Sequence, residues 1–256
     1  MSGELLINVT PSETRVALIE NGSLQEVHVE REARRGLVGN IYLGKIIRVL
    51  PGMQAAFVDI NLGKAAFLHA SDINSKLILK EDSNSEQVPD IRNLVHEGQY
   101  IVVQVVKDPM GTKGARLTTD ITVAARFLVL MPNASHAGIS QRIEDPKERN
   151  RLKSIVTPYC GEDHGFIVRT AAEGAGIEEL QHDAEFLRRV WAKVIERKER
   201  KQTKDPIYQD LSLAFRVLRD FVGVSLERIR IDSKLTYEQL VEFTSEFVPN
   251  LAPVLE

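Results

Sequence analysis

Two phenylalanines on a predicted hairpin are the first side chains with an evident chemical use. The segment from Gln54 to Ile73 reads QAAFVDINLGKAAFLHASDI. Its two strand-like runs flank Asn61-Leu62-Gly63, where glycine suits a hairpin loop because it adopts positive φ without strain. In that register Phe57 lies directly opposite Phe67, and both rings point to one side of the sheet. Such a pair is either a buried aromatic contact or an exposed platform on which nucleotide bases stack.

A second group with binding chemistry is Arg169-Thr170, in the segment FIVRTAAEGAG. An arginine presents a planar fork that can hold two phosphate oxygens, and the neighbouring hydroxyl can donate a third hydrogen bond. A terminal monophosphate offers more charge and more free oxygens than an internal phosphodiester. The alternative is that Arg169, which follows a predicted buried strand, forms a structural ion pair.

Composition excludes several classes of protein. The 256 residues are 43% hydrophobic and 27% charged, as in globular proteins of one to three domains. No apolar run approaches the roughly 18 residues of a membrane span, and the first residues do not resemble a signal peptide. The single cysteine, Cys160, excludes an internal disulfide framework and indicates a reducing cytoplasm. Because no second Cys/His pair accompanies Cys160 and His164, we expect an ordinary half-buried thiol there and no metal site.

The net charge of −3 argues against bulk electrostatic attraction to nucleic acid, so a nucleic-acid site must be a local patch. Three runs are locally basic: 30–48, 107–126 and 185–204. The last is typical of the solvated face of a helix. The first two flank the Phe57/Phe67 hairpin in sequence and are the better candidates.

Strand-like patterns dominate the first half of the chain. Residues 5–9, 14–20 and 24–30 predict a small antiparallel meander with Asn21-Gly22 at its second turn. Five further strands follow, and residues 75–91 between the third and fourth read as a surface loop. Five short strands with such an excursion favour a small Greek-key barrel of the oligonucleotide-binding kind. The five strand segments are IYLGKIIRVL, QAAFVDI, AAFLHA, QYIVVQVVKD and ARLTTDI.

From about residue 121 helices alternate with strands. RFLVLMP and GFIVRTA read as buried strands, and DPKERNRLKSIVTPYC between them has helical periodicity. Residues 177–200 predict a long amphipathic helix. After a break at Asp205-Pro206 we expect a helix (DLSLAFRVLRDFV), a strand (RIRID) and a last helix opened by Thr236, with Gln239 completing a capping box. The apolar face of the long helix comprises Leu180, Phe186, Leu187, Val190, Trp191 and Val194.

Together these motifs resemble the ribonuclease E/G family. The resemblance covers essentially the whole chain and implies an α+β fold of several subdomains. It implies an S1-type (OB-type) RNA-binding barrel over 36–120, inserted into a split ribonuclease-H-like subdomain of 1–35 and 206–256. An α/β 5′-sensor subdomain would occupy 121–205. The matching segments are INVTPSETRVA, EREARRGLVGNIYLGKI, VLPGMQAAFVDI, KAAFLHASDI, VQVVKDPMGTKGARLTTDI and FIVRTAAEG.

The resemblance implies which side chains contact RNA in the barrel. Phe57 and Phe67 match phenylalanines on the RNA-facing surface of the family, and Lys113 matches a lysine of the same channel. Lys45, on the first barrel strand, is a plausible contact to the RNA backbone. As point charges, the lysines would position phosphates without reading sequence.

The resemblance also implies a pocket for a 5′-monophosphate. Arg169 and Thr170 fall on the family's sensor pair, which favours the phosphate-binding interpretation over a structural ion pair. Val129 and Ala125 match the backbone wall of that pocket, although the family's better-known member has glycine at the position of Ala125. Arg142 is a further candidate for orienting the pocket.

Cleavage in the family resembles metal-assisted hydrolysis, with paired aspartates holding Mg²⁺ in a subdomain that follows the ribonuclease-H-like part. We therefore expect no catalytic residue and no bound metal or cofactor in this chain, although the whole family enzyme uses Mg²⁺. Asp232, at a predicted strand end, has no evident carboxylate partners, and Glu238, Glu242 and Glu246 indicate a solvated helix face. Family protomers associate through a paired-cysteine zinc link, which one cysteine cannot supply.

Two functions of different class follow. The first is the RNA-binding, 5′-monophosphate-sensing portion of a cytoplasmic endoribonuclease that acts on single-stranded RNA in ribosomal RNA maturation and messenger decay. The second is a self-standing, non-catalytic RNA-binding protein with an S1 domain. A protein-interaction scaffold has only the basic helix at 178–201 in its favour. We expect the chain to bind short single-stranded RNA, to prefer a 5′-monophosphate, and not to cut.

Overall fold

The computed structural model of the chain describes residues 3–74, 89–200, 205–220 and 226–256. These residues form thirteen β-strands, five α-helices and several short 3₁₀ segments. Most of the surface loop predicted at 75–91 lies outside the described residues. No helix in the described part is long and apolar enough to cross a membrane.

The first sheet combines strands from the two ends of the sequence. β1 (Gly3–Val9), β2 (Glu13–Glu20) and β3 (Ser23–Arg31) form the expected meander, which is confirmed. β13 (Leu226–Ile231) pairs with β1 in parallel, so that the strand order is β13-β1-β2-β3. No local sequence pattern indicates this parallel pairing.

Five strands close into the predicted barrel. Their order is β4-β5-β6-β8-β7, and the β6–β8 pair is parallel, which makes the connectivity that of an OB-like barrel. A Cβ atom on Gly114 would lie 1.9 Å from the carbonyl oxygen of Ala65, so only glycine fits where β8 approaches β6. The strands are β4 (Ile41–Leu50), β5 (Ala55–Asp59), β6 (Ala66–His69), β7 (Tyr100–Lys107) and β8 (Arg116–Thr118).

The second sheet contains the two buried strands predicted after residue 121 and two short strands that the pattern does not indicate. β10 (Leu128–Met131) and β12 (Gly165–Val168) are its central strands. β9 (Val123–Ala124) and β11 (Ala137–Ile139) flank them in the order β11-β12-β10-β9. Two- and three-residue strands are too short to show a periodicity.

Helices cover both sheets, and the predicted helices are present. The predicted helices are α2 (Pro146–Val156), α3 (Ile177–Glu199), α4 (Leu213–Asp220) and α5 (Lys234–Phe247), whereas the four-residue α1 (Ile91–Leu94), which begins at the last residue of the predicted surface loop, was not predicted. The predicted start of the last helix was wrong. Ser233 is its N-cap, accepting a hydrogen bond from the Thr236 amide, so Thr236 lies within the first turn and the Thr236/Gln239 capping box does not form.

Apolar side chains form two separate cores. One fills the barrel and includes Ile46, Leu68 and Leu117. The other lies between the two sheets and helices α2 to α5, and includes most of the predicted apolar face of α3. Trp191 on that face is half-buried and packs against the second core. Because the barrel has its own core, its outer face can remain open to solvent.

Candidate functional site

The hairpin β5–β6 has the predicted register. Phe57 pairs directly with Phe67, and the neighbouring pair is Ala56 with Leu68. Gly63 has φ +67° in the connecting loop, as expected. Ala56 and Leu68 are fully buried in the barrel, whereas Phe57 and Phe67 are half-exposed on its outer face. Both rings therefore lie outside the buried core of the barrel, as the stacking interpretation requires.

The two rings meet edge to face and leave ring surface open to solvent. Their centroids are 6.3 Å apart with an interplanar angle of 67°. His69 extends the aromatic surface, with its ring centroid 6.4 Å from that of Phe67. Its Nδ1 accepts a hydrogen bond from the Ser71 amide at 3.1 Å, which fixes the ring orientation. Flat, half-exposed rings on a rigid strand pair are suited to stacking against planar ligands such as bases.

The two barrel lysines named from the sequence are both exposed, on different parts of the barrel surface. Lys45 points outward from β4, and its ammonium lies 5.9 Å from the ring centroid of Tyr100 on β7. Lys113 lies in the turn before β8, where its backbone exchanges hydrogen bonds with Met110. Neither ammonium has an ion-pair partner among the described residues. Both charges are therefore available to a phosphate group.

Arg169 follows β12 and contacts backbone carbonyl groups instead of a carboxylate. Its Nη1 donates to the carbonyl oxygens of Ala125 at 2.5 Å and Arg126 at 3.2 Å. In the part of the chain that the structure describes, its other guanidinium nitrogens have no partner, and the side chain is exposed. The structural ion pair considered from the sequence does not form with any described residue.

The turn between β9 and β10 is held by Arg169 and by two buried side chains. Asp183 on α3 accepts hydrogen bonds from the amides of Phe127 at 2.5 Å and Leu128 at 2.9 Å. Arg219 on α4 donates to the Ala124 carbonyl at 2.8 Å. Cationic groups therefore hold the carbonyl side of this turn, and an acid holds its amide side.

Asp183 is an unusual carboxyl group because its side chain is almost fully buried. Burial raises its pKa to about 6, although the two amide hydrogen bonds and the charge of Arg219 act in the opposite direction. The nearby charge of Asp220 raises the pKa further. An acid with this pKa is sensitive to small changes in the packing of the turn.

Ala125 and Val129 occupy the turn and the strand that follows it. The Ala125 amide donates to Leu128 at 2.8 Å while its carbonyl accepts from Arg169, so both backbone groups are occupied within the protein. Val129 lies on the central strand β10, opposite Ile167, with a half-buried side chain. Ala125 thus contacts the guanidinium of Arg169 through its carbonyl group.

Thr170 and Arg142 are connected through a residue that the sequence did not suggest. The Ser140 hydroxyl lies 3.4 Å from that of Thr170 and accepts from the Arg142 amide at 3.3 Å. Arg149 on α2 donates to the carbonyls of Ser140 and Ile143, at 2.7 and 2.9 Å, and thereby fixes this loop. Two exposed arginines and two hydroxyls therefore lie on neighbouring loops, an arrangement suited to an anion.

The remaining acidic and metal-ligating candidates have structural surroundings. Asp232 accepts hydrogen bonds from the Asn8 side chain and from the Val9 amide, the latter at 2.8 Å, and so joins β13 to β1. Glu246 forms an ion pair with Lys193. Cys160 is half-buried, and burial raises the pKa of its thiol. Among the described residues, no group of three or more His, Cys, Asp or Glu side chains could hold a metal ion.

The model of the Ribonuclease E/G family matches residues 122–256, just over half of the sequence. The chain belongs to the ribonuclease E/G family. It is 63% identical to Ribonuclease G of Escherichia coli (strain K12) over 258 aligned residues, which cover 100% of this chain and 53% of that protein.

Two further members of the ribonuclease E/G family show the range of similarity. Ribonuclease G of Haemophilus influenzae is 61% identical over 254 residues, covering 98% of this chain and 52% of its own length. Ribonuclease E of Buchnera aphidicola (subsp. Schizaphis graminum) is 37% identical over 232 residues, which cover 90% of this chain and 24% of that protein. The chain spans about half the length of the ribonuclease G relatives.

Four residues that hold the candidate site were not predicted from the sequence: Ser140, Arg149, Asp183 and Arg219. Asp183 had a signal that could have been used. It lies three residues after Leu180 and four before Leu187, on the buried face of α3, where an acid requires hydrogen-bond partners. Ser140 and Arg149 act through backbone groups of a loop, and their residue types carry no such signal.

Proposed function

We propose that this chain is the RNA-binding and 5′-monophosphate-sensing portion of a ribonuclease G-type endoribonuclease acting on single-stranded RNA. The observation that carries the proposal is the pair of half-exposed rings, Phe57 and Phe67, directly opposite each other on the barrel of a ribonuclease E/G family chain. Bases stacked on these rings would contribute roughly 1–3 kcal/mol each, without sequence preference.

In this proposal the barrel within 36–120 is an S1-type RNA-binding subdomain, and 121–205 is the 5′ sensor. Residues 1–35 and 206–256 form a split ribonuclease-H-like subdomain. The first sheet supports this division, since β1 to β3 and β13 pair across the intervening sequence. The closed barrel and the sheet β11-β12-β10-β9 each use strands from one continuous range.

The proposed sensor holds a 5′-monophosphate with Arg169 and Thr170. Arg169 has unengaged donors that face outward while its Nη1 is fixed on the carbonyls of the turn at Ala125. An arginine oriented in this way is pre-organised for a phosphate, because little side-chain entropy remains to be lost on binding. The hydroxyl of Ser140 lies beside that of Thr170 and accepts from the backbone amide of Arg142, whose exposed side chain would complete the anion site.

The parent enzyme would act in the cytoplasm on ribosomal RNA precursors and messenger RNA. Its Mg²⁺ would supply the hydrolytic chemistry. In the described part of the chain, no group of three or more His, Cys, Asp or Glu side chains could hold that ion. This chain would bind and orient the RNA. The paired rings and the lysines would bind the RNA strand, and Arg169 would bind its 5′-phosphate.

The experiment that tests the proposal compares two RNAs of one sequence, with a 5′-monophosphate or a 5′-hydroxyl, by fluorescence anisotropy. We expect the wild-type chain to prefer the monophosphate. Phe57→Ala weakens binding of both RNAs alike, by about tenfold, because one stacked base is lost. Arg169→Ala removes the preference and leaves binding of the hydroxyl RNA unchanged. Arg228→Ala, an exposed arginine on β13, is the control.

Equal losses for both RNAs in Arg169→Ala would contradict the sensor assignment. Unchanged binding in Phe57→Ala would contradict the stacking face. Adding Mg²⁺ to the same samples tests for cleavage, and we expect the RNA to remain intact. Chelator-sensitive products would instead place a metal site in this chain, with Asp232 as the first candidate.

A self-standing RNA-binding protein is the second candidate, favoured by the closed barrel, which has its own hydrophobic core. The DNA after codon 256 distinguishes the two. An in-frame acidic domain followed by a Cys-x-x-Cys segment supports the nuclease, and its absence supports the binding protein.

A further inference from the structure

The outer face of the barrel carries another exposed aromatic residue, on the far side of β4 from the two phenylalanines. Tyr100 opens β7 and is 55% exposed, which leaves much of its ring in contact with solvent. It is the cross-strand partner of Lys45, whose ammonium lies 5.9 Å from the ring centroid. A cation at this distance interacts favourably with the ring quadrupole.

A bulge in β4 determines which of its residues point outward. Lys45 pairs with Asp59 and Ile46 with Val58, but the next pair is Arg48 with Phe57, so Ile47 is an extra residue. In a regular strand Arg48 would face the opposite side from Lys45, since side chains alternate. The bulge instead turns Arg48 outward, where it is exposed beside Phe57.

The bulge places two cations between two aromatic sites. Lys45 pairs with both Tyr100 and Asp59, and Asp59 lies two residues from Phe57 on the same face of β5. From the spacing of strands and residues, Tyr100 and Phe57 are about 12 Å apart. A few extended nucleotides bridge such a distance. Arg48 and Lys45 lie along the line between the two rings.

We propose that the single-stranded RNA path crosses β4 and ends on a further base-stacking site at Tyr100, with Lys45 and Arg48 holding the phosphates in between. This site rests on the proposed RNA-binding function of the barrel and extends it. Ligand recognition there is independent of sequence, since stacking uses the π-face that every base has. The ligand class is single-stranded RNA longer than the stretch that covers Phe57 and Phe67 alone.

Both cations are available for phosphate contacts. Neither Lys45 nor Arg48 forms a salt bridge within the described ranges. Asp59, the nearest paired acid, uses its Oδ1 to accept from the amide of Asn61 at 2.9 Å. By contrast, Arg116 on the other side of the rings is held by Asp72 at 2.9 Å. On the β4 side both cations are therefore free, whereas on the β8 side Arg116 is held and only Lys113 of the two lacks an ion-pair partner among the described residues.

Binding of uridine oligonucleotides of two lengths to the 256-residue chain tests the proposal. Tyr100→Ala is expected to weaken a long oligonucleotide (about ten nucleotides) by about tenfold and leave a dinucleotide, which covers Phe57 and Phe67 alone, unchanged. Tyr100→Phe keeps full affinity because the ring alone is needed. Val106→Ala, a change at an exposed position near the other end of β7, is the matched control. Lys45→Ala and Arg48→Ala each lower the salt slope of the long RNA by about 0.7.

The outcomes separate this inference from the function on which it rests. If Phe57→Ala weakens both lengths and Tyr100→Ala behaves like Val106→Ala, the Tyr100 site is overturned while RNA binding by the barrel stands. If neither Phe57→Ala nor Tyr100→Ala weakens any RNA, the proposed function itself fails. A length-dependent loss in Tyr100→Ala, restored in Tyr100→Phe, supports the site.

Discussion

The proposed stacking face and the proposed phosphate site are built in opposite ways. The stacking face consists of side chains on neighbouring barrel strands, and Phe57 and Phe67 come together through a hairpin of a few residues. The phosphate site depends on a turn whose backbone is held from distant elements by Arg169, Asp183 and Arg219. The first can change without affecting the fold, whereas the second is part of the fold.

This difference has an energetic basis. Phe57 and Phe67 are half-exposed and lie outside both cores, so removing a ring costs the protein little packing. Asp183 is buried and satisfies two amides that have no other partner in the turn. Stability and the proposed RNA binding are therefore separable in the barrel and coupled in the region proposed as the sensor.

The largest expected effect that would test this comparison comes from Asp183→Ala. It leaves the amides of Phe127 and Leu128 buried and unpaired, which costs about 3 kcal/mol in free energy of unfolding. The same change removes the preference for a 5′-monophosphate, because the turn that orients Arg169 relaxes. Denaturant titration measures the free energy of unfolding, and RNA binding measures the preference for a 5′-monophosphate. Phe57→Ala is the comparison variant, which we expect to keep its stability. Equal stability of the two variants would break the comparison.

An effect of similar size concerns pH, because the pKa of Asp183 is about 6 in the folded chain and near 3.8 when unfolded. Between those values the folded state binds more protons, so this group's contribution to the free energy of unfolding falls as pH rises from about 4 to 6. Asp183→Asn lacks the titration. Relative to wild type, the free energy of unfolding of Asp183→Asn should rise by up to about 3 kcal/mol between pH 4 and pH 7. A difference independent of pH would show that the carboxyl titrates normally.

The smallest effect is expected from Arg149→Ala. It removes two hydrogen bonds to the carbonyls of Ser140 and Ile143 and costs about 1 kcal/mol, because those carbonyls can be solvated. Looser positioning of Ser140 and Thr170 should weaken monophosphate RNA more than hydroxyl RNA. Binding of both RNAs measures this, and Arg151→Ala on the same helix is the control. Equal weakening of both RNAs would separate Arg149 from the sensor.

The two regions also differ in how far the sequence predicts them. The hairpin register followed from Gly63 and the alternation of small residues, which are local signals. The hydrogen bonds of Asp183 and Arg219 join residues far apart in sequence, and no local pattern encodes them. Resemblance to the family supplied Arg169 and Thr170, but not the side chains that hold them.

Local sequence signals also gave a wrong prediction where two N-cap candidates competed. Ser233 and Thr236 are both good N-cap residues, and the structure uses the earlier one. Ser233 directly follows Asp232, which is fixed to β1 through Asn8 and Val9. The start of the last helix is thus determined by the sheet, which a reading of residues in the helix alone cannot include.

The parallel pairing of β1 with β13 has a consequence during protein synthesis. The amide of Val9 meets its partner Asp232 223 residues later. At about 5–20 residues per second, the ribosome needs on the order of 10 to 45 seconds to deliver that partner. Throughout this time β1 has an open edge, while the barrel and the second sheet can already fold as they emerge. The sheet that begins first is completed last.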